Sequence, residues 1–200
     1  MLEQVLKQSF GSVAHIAHHV QECYFQAPTH AHHNPSRVQN AENIAALTKA
    51  FFERDIPTFA TAIIEEWDDD GSIHSEVRRL AKEIDYLGRS RSVRLPSGNG
   101  IEASAYSYRF SEQLINYPVH ILTGFNASSC VLDTGLICLE EKKARLIIPK
   151  DCIEDAWVSR APAQLDKDQA IKIMKDKGAI ISSMDEILTT IDRLKPTLVM

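Results

Sequence analysis

Two periodicities alternate along the chain, and this alternation constrains the fold more than any other feature of the sequence. Short apolar runs such as IPTFATAI (56–63) and PVHILTG (118–124) are separated by longer stretches whose apolar residues recur at helical spacing. In the stretch 38–55 the apolar face consists of Ile44, Leu47, Phe51 and Phe52. Short apolar strands alternating with helices are typical of βαβ units around a parallel sheet, so the sequence predicts an α/β fold.

The same rhythm continues through the remaining predicted elements. We expect further strands at 12–19, 90–94, 144–149 and 178–182, and further helices at 75–83, 102–115, 128–141, 164–177 and 183–194. The opening MLEQVLKQSF predicts a short amphipathic helix that docks on the body of the protein. Because we find no repeat, low-complexity segment or linker, we expect one domain over 1–200, with 1–11 as an N-terminal helical extension.

Composition argues against several kinds of partner. The formal charge of −5 does not favour a nucleic-acid partner, and the only basic cluster is RSRSVR at 89–94. No apolar run approaches the roughly 20 residues that cross a bilayer. The four cysteines have no CxxC spacing and no secretory signal in front of them, which favours free thiols and a cytoplasmic location.

The segment TGFNASSCVLDTG, 123–135, has the properties of a reactive turn. It follows a predicted strand, and in open parallel sheets reactive groups gather at the carboxyl ends of strands. Cys130 falls at the start of the next predicted helix, where aligned N–H dipoles lower the pKa of a thiol. The N–H groups of the turn are also placed to form an oxyanion hole. The alternative at this point is a buried structural cysteine.

The region 119–157 resembles the signature segment of isochorismatase-like cysteine hydrolases. That pattern is a strand ending in Thr-Gly, five residues, Cys-Val, and a Thr four residues after the Cys; here Gly124, Cys130, Val131 and Thr134 match it. A weaker resemblance extends from about 12 to the closing GAIISSMDEIL. It implies a three-layer α/β/α fold with a mostly parallel six-stranded sheet, helices on both faces, and Cys130 as the nucleophile.

The resemblance also assigns the turn before the nucleophile. In the family this turn holds a non-proline cis peptide bond, which by position is the bond between Phe125 and Asn126. We expect Phe125, Asn126 and Ser129 to form this turn and its oxyanion site.

Two positions depart from the family pattern. The family's catalytic Asp stands in a D-x-Q pattern, and the corresponding text here is His19-Val20-Gln21. An imidazole with a pKa near 6.5 is able to accept the thiol proton, so we assign His19 as the base. The alternatives are that the activity has been lost, or that His19 fills the end of a strand already unusual in holding three histidines.

The family's catalytic Lys is the second departure. Counting back from NGIEAS (99–104), the best substitute is Arg94, followed five residues later by Asn99. This arrangement resembles a subgroup of small oligomeric bacterial hydrolases with Arg in that position. Arg94 keeps the positive charge that stabilises a thiolate, although pairing with Glu102 or with solvent is the alternative.

We expect no metal ion and no cofactor. The loop THAHHNP holds His30, His32 and His33, but it lacks a fourth ligand, and the D-x-H pattern of the nicotinamidase branch is missing from EEWDDDGSIH. We expect the substrate pocket to be lined by Tyr24, Trp67 and Asn99, together with the Phe125–Asn126 turn.

The sequence thus supports three hypotheses. In the first, Cys130 attacks an electrophilic carbon of a small amide-like or related metabolite, with His19 as the base and Arg94 beside the thiolate. In the second, the chain is a catalytically inactive family member that binds a small molecule or a partner protein. In the third, its main role is homo-oligomeric assembly, because family subunits generally associate, and a homo-oligomer is expected in every case.

Overall fold

The centre of the fold is a parallel β-sheet. The computed structural model describes residues 1–9, 11–25, 34–64, 72–88, 111–156 and 165–194. Within these residues seven strands form one sheet, and every strand pairing is parallel. The strands are β1 (Val13–His18), β2 (Thr58–Ile64), β3 (Glu83–Gly88), β4 (Val119–Phe125), β5 (Arg145–Pro149), β6 (Ile153–Glu154) and β7 (Ile180–Ser182).

The strand order creates a switch point in the middle of the sheet. The main path is β3-β2-β1-β4-β5-β7, and the two-residue β6 pairs with the carboxyl end of β4. The chain therefore winds outward from β1 to β3 on one side and from β4 to β7 on the other. Between β1 and β4 the register runs from Val13 opposite Val119 to His18 opposite Gly124. Ligands of open α/β sheets bind where the winding reverses, at the carboxyl ends of the strands.

Helices flank the sheet and include one unusual composite run. The α-helices are α1 (Leu2–Gln8), α2 (Glu22–Phe25), α3 (Arg37–Phe52), α4 (Ser75–Leu80), α5 (Ser111–Leu114), α6 (Leu132–Leu136), α7 (Lys167–Asp176) and α8 (Met184–Leu194). Two π-helical turns, π1 (Ala127–Val131) and π2 (Ile137–Glu141), extend α6 at both ends. Helical structure is thus continuous over 127–141, close to the predicted 128–141.

Two hydrophobic clusters lie on opposite faces of the sheet. One contains apolar residues of α1, α3 and α8, and the other contains residues of α6, α7 and both π turns. Neighbouring residues of β4 face opposite clusters: Ile121 belongs to the first and Leu122 to the second. A strand covered on both faces buries almost all of its side chains, which explains why the sequence of β4 is mostly apolar. The three-layer α/β/α fold is confirmed, and the short β6 adds a seventh strand to the six expected.

The third strand of the sheet is one that the sequence analysis did not predict. The predicted helix at 75–83 is found as α4, which ends at Leu80, and β3 occupies Glu83–Gly88, where no strand was expected. Pairing with β2 decides the matter: the Lys82 N–H donates to the Thr58 carbonyl at 2.8 Å, and the ladder continues from there. Residues 89–94 lie outside the described part of the chain.

The N-terminal helix docks on the body of the protein, as expected. Leu2, Val5 and Leu6 of α1 are buried, and Glu3 approaches Arg193 of α8 at 3.9 Å. Among the described residues, no helix combines the length and the apolar character that a bilayer crossing requires.

Candidate active site

The carboxyl ends of β1 and β4 meet at the switch point, and the predicted nucleophile lies directly after β4. His19 follows β1, whereas π1 follows β4 after the single residue Asn126. Since β1 and β4 are hydrogen-bonded neighbours, the residues that follow them lie side by side.

Gly124 allows this close approach. Its φ is 139°, and a Cβ built at this position would overlap the carbonyl oxygen of His18 on the neighbouring strand. The Gly124 N–H donates to the Cys152 carbonyl at 3.0 Å. Only glycine fits such a backbone contact, which accounts for the glycine of the Thr-Gly pattern.

The turn after β4 is built differently from the expectation. The predicted cis peptide between Phe125 and Asn126 is wrong, because no peptide bond of the described residues is cis. Asn126 instead adopts the left-handed conformation, with φ 62° and ψ 58°, and asparagine tolerates this region better than most residues. Its carbonyl accepts the N–H groups of Ser129 at 3.0 Å and Val131 at 3.2 Å, which closes the π turn.

Cys130 lies in the first helical turn, as predicted, and next to two histidines. One side-chain atom each of His18, His19 and Cys130 lies within 4.8 Å of the other two. The His18 and His19 residues are fully buried, and Cys130 is 5% exposed. The two imidazole rings are stacked, with centroids 3.9 Å apart and an angle of 21° between the planes. The structure thus brings His19 to the thiol together with His18, which the sequence analysis did not single out.

Thr61 of β2 holds both histidines. Its Oγ1 lies 2.6 Å from Nδ1 of His18 and accepts the backbone N–H of His19 at 3.2 Å. The same N–H also donates to the Thr61 carbonyl at 3.0 Å. His19 itself has a φ of 52°, a left-handed conformation that is uncommon for residues other than glycine. These contacts fix the imidazole pair at the end of β1.

Burial governs the charge of His19. It lowers the pKa of His19 well below its ordinary value of 6.5, and the neighbouring His18 lowers it further. His19 is therefore neutral at neutral pH, in the form that accepts a proton or an electrophilic ion.

Gln21, the glutamine of the D-x-Q pattern, has a structural role. Its side-chain amide donates to the Ile63 carbonyl and accepts the Ile63 N–H, both at 2.8 Å. The fully buried amide therefore continues the pairing between the chain after β1 and the strand β2.

Asp155, which follows β6, anchors the turn that precedes Cys130. The N–H and the hydroxyl of Ser128 both donate to Oδ1 of Asp155 at 2.9 Å. Burial raises the pKa of Asp155, and the two hydrogen bonds from Ser128 oppose that shift. Next to it, the buried Glu154 forms an ion pair with Lys167 at 3.1 Å. The sequence analysis missed Asp155, because β6 is too short to show a strand pattern.

Comparison with known proteins found no matching family model and no matching curated protein. Solved structures do match. An isochorismatase from Pseudomonas putida aligns over 88% of this chain and 90% of its own, at 14% identity and a TM-score of 0.64. N-carbamoylsarcosine amidase from Thermoplasma acidophilum aligns over 88% and 98%, at 16% identity and a TM-score of 0.63. The YcaC gene product of Escherichia coli, described as an octameric hydrolase of unknown specificity, aligns over 91% and 80%, at 14% identity and a TM-score of 0.65.

This chain has the isochorismatase-like fold. At these identities the likeness establishes the fold, and any activity has to be argued from the site.

Within the isochorismatase-like fold the other expected site residues fall into two groups. Tyr24 and Phe125 are buried in the core, with ring centroids 6.0 Å apart, and their described contacts are packing contacts. The Ser129 hydroxyl lies 3.9 Å from Sγ of Cys130, but the Ser129 N–H is bonded to Asn126 and does not point to an oxyanion. Arg94, Trp67, Asn99 and the histidines His30, His32 and His33 lie outside the described residues.

The isochorismatase-like sheet also contains a second Cys–His contact that differs from the first. Cys138 of π2 lies 3.3 Å from Nδ1 of His120, whose Nε2–H donates to the Leu114 carbonyl at 3.0 Å. Cys138 is fully buried in the hydrophobic core. Unlike Cys130, Cys138 lies toward the far end of the helical segment 127–141, away from the switch point between β1 and β4.

Proposed function

We propose that this protein is a cysteine hydrolase of the isochorismatase-like family that acts on a small amide-like or related metabolite through Cys130. One observation carries the proposal: the thiol lies within 4.8 Å of two imidazoles at the switch point of the sheet. A thiol, a base in reach and a helix N-terminus are the parts that nucleophilic acyl transfer requires. The amidase and the hydrolase among the similar structures support the reaction class.

In the proposed reaction His19 acts as the base. Sγ of Cys130 attacks the carbonyl carbon while its proton passes to the neutral imidazole of His19, and the carbonyl electron pair moves onto oxygen. Collapse of this intermediate breaks the carbon–nitrogen bond, the leaving amine takes the proton, and a thioester remains on Cys130. Water then hydrolyses the thioester, which restores the thiol and releases the acid.

His18 and Arg94 complete the proposed site. His18, held by Thr61, stacks on His19 and keeps its ring in place. Arg94 supplies positive charge beside the sulfur, as the Arg-containing bacterial subgroup does in place of Lys. We further propose a single domain, a cytoplasmic location and a homo-oligomer, since none of the four cysteines, all of which the structure describes, forms a disulfide, and the YcaC protein is described as octameric.

The alternative is an inactive relative that keeps the fold to bind a small molecule or a partner protein. The burial of both histidines favours it, because a base with a strongly lowered pKa is a weak one.

A substrate screen distinguishes the two functions. Small amides and acyl compounds are incubated with the wild type, with Cys130→Ser and with the control Cys138→Ser, which removes a buried thiol away from the site. Loss of the nucleophile is expected to lower the rate by roughly 10³-fold or more, whereas the control keeps most of it. Equal rates in the wild type and Cys130→Ser would contradict the cysteine hydrolase and favour the binding protein.

A further inference from the structure

The His18, His19 and Cys130 side chains are also suited to bind a metal ion. Two imidazoles and one thiol are the nitrogen and sulfur ligands that zinc and its neighbours prefer. In the described part of the chain, this is the one group of three or more histidine, cysteine or acidic side chains close enough to share a metal ion. These histidines are not those of the His30–His33 loop, where the sequence analysis weighed a metal and expected none.

The distances are close to those of a bound ion. Zinc holds nitrogen at about 2.0–2.1 Å and sulfur at about 2.3 Å, so tetrahedral ligand atoms lie about 3.3–3.7 Å apart. The three side-chain atoms already lie within 4.8 Å of one another. Binding therefore requires the ligand atoms to approach by about 1 Å and the two stacked imidazole rings to tilt toward a common point.

A second shell is also present. Histidines that bind metals generally have their other ring nitrogen hydrogen-bonded, which fixes the orientation of the ring. Nδ1 of His18 has such a partner in Oγ1 of Thr61, at 2.6 Å. Three protein ligands leave the fourth tetrahedral position to water, the arrangement of a catalytic rather than a closed structural zinc site.

We propose that His18, His19 and Cys130 bind a zinc ion, which blocks the Cys130 thiol. On binding, a sulfur–zinc bond replaces the sulfur–hydrogen bond of Cys130, and one proton is released to solvent. The bound sulfur no longer attacks an electrophile, so zinc reversibly protects Cys130. The inhibition of catalysis that follows rests on the proposed function, whereas the binding itself does not.

Cobalt absorption tests the binding without any substrate. The metal-free full chain is titrated with Co²⁺ and incubated at each step, because the ligands are buried and the ion has to enter. One equivalent is expected to produce a thiolate-to-cobalt charge-transfer band in the near ultraviolet, and added Zn²⁺ is expected to abolish it. A folded wild type that shows no such band would overturn the inference.

Variants assign the ligands. Loss of an outer-shell partner costs roughly 10–100-fold in metal affinity, so His18→Ala and His19→Ala are each expected to weaken Co²⁺ binding at least that much. Cys130→Ser is expected to lose the charge-transfer band. The matched control, Cys138→Ser, removes the other thiol that contacts a histidine and is expected to keep the band. A band that survives in Cys130→Ser, or disappears in Cys138→Ser, contradicts the assignment.

A measurement on the wild type alone keeps the test decisive if a variant does not fold. Iodoacetamide labelling is followed at each cysteine by peptide mass spectrometry, with and without Zn²⁺. Zinc is expected to slow the labelling of Cys130 roughly tenfold or more and to leave the partly exposed Cys23 unchanged. Unchanged labelling of Cys130 would overturn the inference. A cobalt band in a protein that hydrolyses nothing would refute the proposed function and support zinc binding.

Discussion

Buried histidines distinguish this protein at the scale of single residues. His15 lies in β1 between two hydroxyl groups, with Nδ1 3.0 Å from Oγ1 of Thr58 and Nε2 2.9 Å from Oγ1 of Thr123. Burial lowers its pKa to about 3. The sequence indicated that this strand is unusual, because the predicted strand 12–19 carries three histidines and buried parallel strands are mostly apolar. It did not signal which ones face the thiol, since the family pattern pointed to His19 alone.

His15 predicts that the protein loses stability in mild acid. Its pKa is lower in the folded chain than the ordinary 6.5, so between pH 6.5 and about 3 the unfolded chain binds a proton that the folded chain does not. Stability is therefore full above pH 6.5 and falls as the pH decreases through that window. At pH 5 the loss from His15 is about 2 kcal/mol, at 1.36 kcal/mol per pH unit.

Urea unfolding at pH 7.5 and pH 5 measures this effect in the wild type and in His15→Gln, whose amide does not titrate. The variant is expected to lose less stability between the two pH values than the wild type does. The same acid sensitivity in both proteins would show that His15 does not contribute.

At the scale of elements, the sequence predicted the strands that are buried on both faces of the sheet. It missed the strands that form only because they pair with a neighbouring strand. β1, β4 and β5 are short, mostly apolar runs, and the structure has them within a residue or two of the predicted ends. The sequence analysis did not predict β3, because EIDYLG mixes polar and apolar residues and forms a strand through its pairing with β2. β6 has only two residues and owes its place to the end of β4. The π turns and the left-handed Asn126 have no periodic signature.

Gln21 predicts how the end of β1 is held in place. Its buried side chain bonds both the N–H and the carbonyl of Ile63, so Gln21→Leu leaves two backbone groups without those partners. Orphaned buried groups cost about 1–3 kcal/mol each, so for the two groups we expect the free energy of unfolding to fall by about 2–6 kcal/mol.

Chemical denaturation measures the change, with Gln39→Leu as the control. The Gln39 side chain also bonds an amide, that of Asn43, but this contact is exposed on α3. The control is expected to change stability by less than about 0.5 kcal/mol. Equal effects of the two substitutions would contradict the role assigned to Gln21.

At the scale of the whole molecule, the topology does most to create the site. The alternation of strands and helices predicted a parallel sheet, and the resemblance to the isochorismatase-like signature predicted where its chemistry lies. Strand order was not predictable from periodicity, yet it is the adjacency of β1 and β4 that brings His18 and His19 to Cys130. The expected roles of Arg94, Trp67 and Asn99 remain predictions.

Association of subunits is the prediction that belongs to this scale. The homo-oligomer proposed above is expected to be present in solution. Analytical ultracentrifugation should give a mass that is a multiple of the 22.4 kDa chain across a range of concentrations. A mass of one chain throughout that range would contradict the expectation.

We propose that an imidazole activates the thiol of Cys130, and alkylation measured separately at each cysteine tests this most directly. The protein is treated with iodoacetamide at pH 7 in the presence of a metal chelator, and each cysteine is quantified by peptide mass spectrometry. The comparison thiol is Cys152, which is also buried and whose pKa burial raises well above its usual value.

We expect Cys130 to react roughly tenfold or more faster than Cys152, and His19→Ala to slow Cys130 by a similar factor while leaving Cys152 unchanged. Labelling of Cys130 no faster than that of Cys152, or at the same rate with and without the His19 imidazole, would contradict the activation of Cys130 by His19.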